Sequence, residues 1–374
     1  MSAGHIRARG PGAWELKYDL GRDPITGKRQ VRYRTVHGAK RDAQRELREL
    51  LGTVDKGQHV EPGKLTVSEL VAERVTVWRT AGKISALSAE RQHQLAKSQI
   101  GRIGHIPCQR LGTPDVERWH GEMLAAGLSP RTIRGAHGLL SRALDDALKH
   151  DLVHRNVARV QRPPRAPRQD VEILHDDQIA DVLAKLADHQ LHPAVVTALY
   201  TGLRRGEQLA LRWSDVDLDA KALSVERALE ETLEGIAVKG PKSEAGRRAV
   251  TLPDVVVDVL RDHRRQQLEQ RLMLRQGRLP DDALVFPTPE GRHQSPRSFS
   301  ARWRRLVIRL GLPPVKWHAL RHTHASMLIA AKVDVATIAK RLGHSSPMVT
   351  LSVYAHCFSR DDRAAADAIN ALVR

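Results

Sequence analysis

The sequence predicts an α+β multidomain protein: a small β-β-α N-terminal domain, an all-helical middle domain, and a mainly helical C-terminal domain with a small antiparallel sheet. Three observations lead there. A length of 374 residues exceeds what one ordinary core organises. Two-residue alternation of apolar positions near the N-terminus gives way to helical periodicity further on. Two breaks, around residues 52–64 and 162–168, divide the chain into spans 1–55, 64–161 and 171–374.

In the first span, Trp14, Leu16, Tyr18 and Leu20 alternate with polar residues, as do Val31, Tyr33 and Thr35, so two strands are expected. Asp23-Pro24 and Gly27 supply the turn between them, and a basic amphipathic helix runs from Ala39 to Leu51. The Gly-rich polar stretch after it is a linker. In the second span, Thr66 and Glu69 have capping-box spacing, while Thr113-Pro114 and Ser129-Pro130 open further helices. Ile133, His137, Leu140, Leu144 and Leu148 share one face of the last of these, which is expected to be buried.

The segment Arg162-Pro-Pro-Arg-Ala-Pro-Arg168 cannot be helical, because consecutive prolines remove donors and hold their neighbours extended. It is either a plain spacer or a basic strap for a phosphate backbone. In the third span, Ile179, Val182, Leu183 and Leu186 mark one helix and residues 193–200 a second. Short β-like runs follow at Ala222–Glu226, Gly235–Lys239 and Arg248–Leu252, and the chain is then helical to its end.

Lys and Arg number 61 against 43 Asp and Glu, a net charge of +18, and the isoelectric point is near 10.4. The partner this implies is a polyanion. No apolar run approaches the ~18 residues of a spanning helix and no signal-peptide pattern opens the chain, so a soluble, cytoplasmic protein without a membrane partner is expected. Cys108 and Cys357 form no CxxC pair, which argues against a disulfide framework or a zinc site.

The chemistry concentrates in WHALRHTHASMLIAAKVDVATIAKRLGHSSPMVTLSVYAH, Trp317 to His356. His318 and Arg321 share a helix face. Val335, Ile338, Ala339 and Leu342 form the stripe of the next helix, Gly343 ends it, and His344 follows. Ser346-Pro347 opens a last helix that carries Tyr354 in its final turn and returns it toward His318 and Arg321. Basic groups converging on a tyrosine suit phosphoryl transfer, because a phenol of pKa about 10 needs activation and a phosphate needs its charge neutralised. TGLRRGEQLALRW adds Arg204 at a helix start with Glu207 three residues on. GPKSEAGRR adds a lysine able to protonate an alkoxide, Lys242 being preferred and Lys239 the alternative.

TGLRRGE, PKS…RR, HALRH, LGHSS and VYAH stand in the order and spacing of the tyrosine recombinases, the integrase family of phages and mobile elements, which the chain resembles from about residue 171 to 374. The middle span is similar to that family's helical core-site DNA-binding domain, and residues 1–55 are similar to its arm-type DNA-binding domain. The resemblance implies that 171–374 is the catalytic domain of a site-specific DNA recombinase, a DNA strand transferase. Such an enzyme cuts and rejoins DNA through a 3′-phosphotyrosyl link, integrating or excising a phage or mobile element. Arg204, Lys242, His318, Arg321, His344 and Tyr354 are then the catalytic set, with Glu207 supporting it. No cofactor or metal is implied.

The partners implied are double-stranded DNA at attachment sites and further copies of the chain in a homotetramer on that DNA, close to the nucleoid. An arm-binding domain favours helpers, an excision factor or a host DNA-bending protein. The stretch Asp361 to Arg374, apolar at Ala365, Ile369 and Leu372, would dock on a neighbour or pack in cis.

Plainer readings compete. A tyrosine at a helix end is usually an anchor, yet five basic groups in family order argue against that here. His318, His322 and His324 crowd together but lack the glutamate of a HExxH zinc site, and His322 and His324 are read as core or packing residues. Arg205, Arg247 and Arg248 are read as a solvated face. The rival from another class is a non-enzymatic helix-turn-helix regulator built on residues 333–354, and a third reading is a topoisomerase of the same chemistry.

Overall fold

The computed structural model describes residues 4–22, 28–55, 64–167, 171–241, 244–354 and 369–371. The chain divides into two compact units, Met1–Arg168 and Gln169–Arg374.

The first unit begins with β1 (Gly4–Gly10), β2 (Ala13–Arg22) and β3 (Arg29–His37), an antiparallel sheet in that order, followed by α1 (Lys40–Asp55). Both expected strands are present, and Leu16, Tyr18 and Val36 pack on Ala43 and Leu47 of the helix. β1 is a third strand that the sequence pattern does not mark. It has little alternation of its own, with Ile6 its one residue against this core, and it owes its form to the ladder with β2, Ile6 opposite Leu16. The turn expected at Asp23-Pro24 and Gly27, and most of the first linker, lie outside the described residues.

Five helices follow with a separate core: α2 (Val67–Thr80), α3 (Ala86–Ser98), α4 (Thr113–Ala125), α5 (Pro130–Lys149) and α6 (Val157–Val160). The capping box forms, with the Thr66 amide donating to Glu69 at 2.9 Å and the Glu69 amide to Thr66 Oγ1 at 3.3 Å. On α5, Ile133, His137, Leu140 and Leu144 are buried as their spacing requires, but Leu148 is exposed. It lies in the last turn, where Ala147 takes the inward position instead. Residues 162–167 have no regular structure, as the prolines dictate, and Arg168 is outside the described residues.

The second unit opens with α7 (Asp176–Leu186), α8 (His192–Thr201) and α9 (Arg205–Leu209). Then come β4 (Val216–Asp217), β5 (Ala222–Val225), β6 (Ala228–Thr232), β7 (Gly235–Lys239) and β8 (Arg248–Thr251). The three expected β runs are found, but in two sheets: an antiparallel β4-β5-β8 ladder and a separate β6-β7 hairpin. Five helices complete the unit: α10 (Asp254–Met273), α11 (Pro296–Arg309), α12 (Trp317–Ala330), α13 (Val335–Leu342) and α14 (Pro347–Tyr354).

Its main core holds α8, α10 and α11, with Trp303 and Trp317 edge to face at 5.3 Å. A smaller cluster joins Ala325 and Ile329 of α12, Ile338 and Leu342 of α13, and Tyr354 of α14. This second cluster positions the site, because it locks the three motif-bearing helices together. Among the described residues no helix is long and apolar enough to cross a membrane. Of the stretch Asp361 to Arg374 only residues 369–371 are described; they are helical with Ile369 exposed, and Ala365 and Leu372 lie outside the described residues.

Candidate active site

Two glycines turn the backbone so that its carbonyls face arginines. Gly202 ends α8 at φ +67° and Gly343 ends α13 at φ +66°, a left-handed conformation that costs glycine little. Arg321 of α12 is 3% exposed, and it donates from Nη1 to the Gly202 carbonyl and from Nη2 to that of Leu342, each at 2.7 Å. Arg204 donates from Nη2 to the Gly343 carbonyl at 2.7 Å. Neither turn has room for a side chain. A Cβ on Gly202 would come within 2.7 Å of His324, and one on Gly343 within 2.7 Å of Arg248.

Glu207, 4% exposed, joins these pieces. It accepts from Arg204 Nη1 at 2.7 Å and from the Arg204 amide at 2.9 Å. From the other side Arg248 donates to it, Nη2 to Oε2 at 2.9 Å and Nη1 to Oε1 at 3.3 Å. Burial pushes the Glu207 carboxyl up, but Arg248 and then Arg204 outweigh this and hold it below the usual carboxylate range. Doubled arginines at 247–248 suggest a solvated face for Arg248. Its side chain is instead 4% exposed and also donates to the carbonyls of Arg341, at 2.7 Å, and Gly246, at 3.1 Å. Arg248 thus ties the start of β8 to α9 and to the end of α13.

Three guanidinium groups around one carboxylate leave positive charge in excess. Arg321 records this: burial, then repulsion from Arg204, lower its pKa to about 9. At neutral pH Arg321 remains charged, and an anion placed beside it and Arg204 would offset both the burial and the repulsion. Of the five N–H donors of Arg321, two are committed to carbonyls.

The histidines divide by neighbour. His344 follows Gly343 and shares a hydrogen bond between Nδ1 and Thr350 Oγ1 at 2.8 Å. Burial and then Arg321, Arg204 and Arg248 lower its pKa to about 4. His318 keeps a solvent-facing side yet is crowded by protein, which together with Arg321 and Arg204 lowers its pKa. His324 is 4% exposed and accepts from Arg341 Nε at 3.0 Å. It is core, as expected.

His322, expected to be a core or helix-packing residue, is half-buried and packs its ring on Tyr354, but it also makes a polar contact. Its Nδ1 lies 2.6 Å from the Tyr354 hydroxyl, and its ring stands edge-on to His318, centroids 4.7 Å apart. The signal for it was present, because His322 follows His318 by four residues and shares its helix face. Tyr354 is 1% exposed, seated in the small cluster of α12, α13 and α14, and close enough to act electrostatically on Arg321.

The fold therefore brings together Arg204, Glu207, His318, Arg321, His344 and Tyr354. Lys242 lies outside the described residues. Lys239, the alternative, forms an ion pair with Glu230 on the β6-β7 hairpin. Arg205 donates to Ser300, and Arg247 is exposed beside Glu226.

Residues 172–360 match the sequence profile described as the phage integrase family. The chain is similar to a protein called tyrosine recombinase XerC-like from Caldanaerobacter subterraneus subsp. tengcongensis, at 24% identity over 96% of each chain. It is similar to an integrase of Streptomyces ambofaciens at 29% identity, covering 91% of this chain and 88% of that one. Among solved structures it resembles the Tn1549 transposon integrase in complex with a circular intermediate DNA. That match has a TM-score of 0.69 and 21% identity, over 83% of this chain and 100% of that one. It also resembles a lambda integrase dimer bound to a COC′ core site, with a TM-score of 0.58 and 16% identity over 96% and 95% of the two chains.

Proposed function

The chain belongs to the phage integrase family, and we propose that it uses Tyr354 as the nucleophile of a site-specific DNA recombinase. The observation that carries this is the clustering of Arg204, Arg248 and Arg321 about Glu207, with a tyrosine hydroxyl held beside them.

Arg204 and Arg321 grip the non-bridging oxygens of the scissile phosphate and stabilise the charge of a pentavalent transition state. Glu207 fixes the Arg204 side chain in that pose. Thr350 holds Nδ1 of His344, so Nε2 is the nitrogen that meets the phosphate. His318 takes the Tyr354 proton or passes it on, and Lys242 protonates the departing 5′ oxygen. The product is a 3′-phosphotyrosyl link with a free 5′ hydroxyl. The link keeps the phosphoester energy, so a 5′ hydroxyl from a partner duplex can reseal it without ATP.

Within this scheme residues 171–374 are the catalytic domain, 64–161 read the core site and 1–55 bind arm sites. The separate cores of the last two spans support that division. Exchange between two duplexes calls for a homotetramer on DNA, as in the lambda integrase tetramer bound to a Holliday junction. An arm-binding domain would serve an excision factor or host bending protein, and a nucleoid-associated cytoplasmic location follows from the partner.

A plasmid assay tests the reading. With two attachment sites present, the chain should yield rejoined recombinant products in EDTA without ATP. Relaxation of supercoils on plasmids lacking any site would favour the topoisomerase reading, and site binding with no rearrangement would favour the regulator.

A further inference from the structure

We propose that His322 is the group that takes the proton of Tyr354 as the tyrosine attacks; this rests on Tyr354 being the nucleophile. Among the described residues the Tyr354 hydroxyl meets an imidazole nitrogen at 2.6 Å, and that nitrogen belongs to His322. The distance is that of a strong O–H···N hydrogen bond, short enough for direct transfer. The two rings meet at 60° with centroids 5.7 Å apart, so Nδ1 approaches the hydroxyl at its edge and not over the phenol face.

The partner has the right protonation state. Burial, then His318 and Arg321, lower the His322 pKa to about 4, so at neutral pH the ring is uncharged and accepts the phenolic hydrogen. The groups that face it are His318 and Arg321 on its own helix, Glu172 from the segment ahead of α7, Tyr354 on α14, and His344 beyond α13. Among these groups Arg321 disfavours a charge on His322 and Glu172 favours it. A phosphate clamped by Arg204 and Arg321 would add negative charge beside this cluster, which favours an imidazolium there during the reaction and makes His322 a better base when substrate is bound.

In the step itself, the Tyr354 O–H bond breaks and its proton moves to His322 Nδ1. The phenolate oxygen forms a bond to phosphorus, and the bond from phosphorus to the 5′ oxygen breaks with its electron pair on that oxygen. The general acid assigned above protonates the 5′ oxygen. On rejoining, each proton returns along the same path. His318, edge-on to His322, then takes the second place in the chain and not the first.

The experiment measures covalent adduct formation on a nicked suicide duplex under single turnover, for the full chain and for His322→Gln, with DNA binding and melting followed in parallel. An amide hydrogen-bonds but takes no proton at these pH values. H322Q should bind DNA as the parent does and form adduct about 10²-fold more slowly or worse. Its rate should rise about tenfold per pH unit between 7 and 9, where the parent is flat, because hydroxide replaces the base below the phenol pKa of about 10. The chain has 4 tyrosines, so biosynthetic 3-fluorotyrosine, a stronger acid, is practicable and should restore H322Q by at least about tenfold.

H322Q cleaving at the parental rate overturns the proposal. So does a slow variant that neither fluorotyrosine nor pH restores, since His322 would then act through packing. If H322Q melts early, His322→Asn provides the same comparison. Adduct persisting in Tyr354→Phe would instead overturn the nucleophile assignment beneath it.

Discussion

Replacing Arg248 with methionine tests whether the charge network built on Glu207 holds the site together. The substitution removes two hydrogen bonds to Glu207 and leaves the Arg341 and Gly246 carbonyls without that donor. Breaking a buried pair by removing one partner costs about 3–5 kcal/mol, because the remaining charge stays buried. Glu207 keeps Arg204 at 2.7 Å, so the lower end, about 3 kcal/mol, is expected. For a unit of this size the urea slope is about 2 kcal/mol per molar, which places the midpoint about 1.5 M lower. Glu207→Gln alone should cost about 2 kcal/mol, since the guanidinium groups of Arg204, Arg248 and Arg321 then lack the carboxylate between them. The double variant, with an uncharged amide and only Arg204 and Arg321 left in the cluster, should recover about 2 kcal/mol of the sum. The buried Trp213, Trp303 and Trp317 report unfolding of this unit by fluorescence. Additivity within about 0.5 kcal/mol would refute the coupled network.

In the helical part of the first unit, buried His120 and His137 lie nitrogen to nitrogen at 3.2 Å, and burial followed by His120 lowers the His137 pKa from 6.5 to about 4. Below pH 6.5 the unfolded chain takes up a proton that the folded one refuses until about 4, so stability is complete above 6.5 and falls across that window. At about 1.4 kcal/mol per unit the loss approaches ~3 kcal/mol; a flat melting temperature from pH 4 to 6.5 would contradict it. Gly343→Ala, at positive φ with Arg248 2.7 Å from the new Cβ, should lower the melting temperature and slow adduct formation together. A variant as stable and active as the parent would show that the α13 turn does not set the Arg204 and Arg248 positions.

Most elements were legible because period and punctuation agreed locally. Ser129-Pro130 started α5, Gly343 ended α13, and Thr66 with Glu69 capped α2. β1 was not legible, since its form comes from pairing and not from its own pattern. In the site, Arg204, Arg321 and His344 were legible from motif order. Arg248 was misjudged because doubled arginines usually face water, although it lies two residues from buried Val250 and so on the inward face of β8. For His322 the spacing from His318 marks the shared helix face, but the contact with Tyr354 depends on how α14 returns across α12, which that spacing does not encode.

The central claim is that Tyr354 attacks DNA. A nicked duplex carrying the element's attachment site, from which the 5′-hydroxyl strand diffuses away on cleavage, traps the intermediate. Digestion and mass spectrometry of the trapped adduct should place a 3′-phosphonucleotide on Tyr354, and Tyr354→Phe should bind the duplex and trap nothing. An adduct on another residue, or strand transfer undiminished in the phenylalanine variant, would contradict the account.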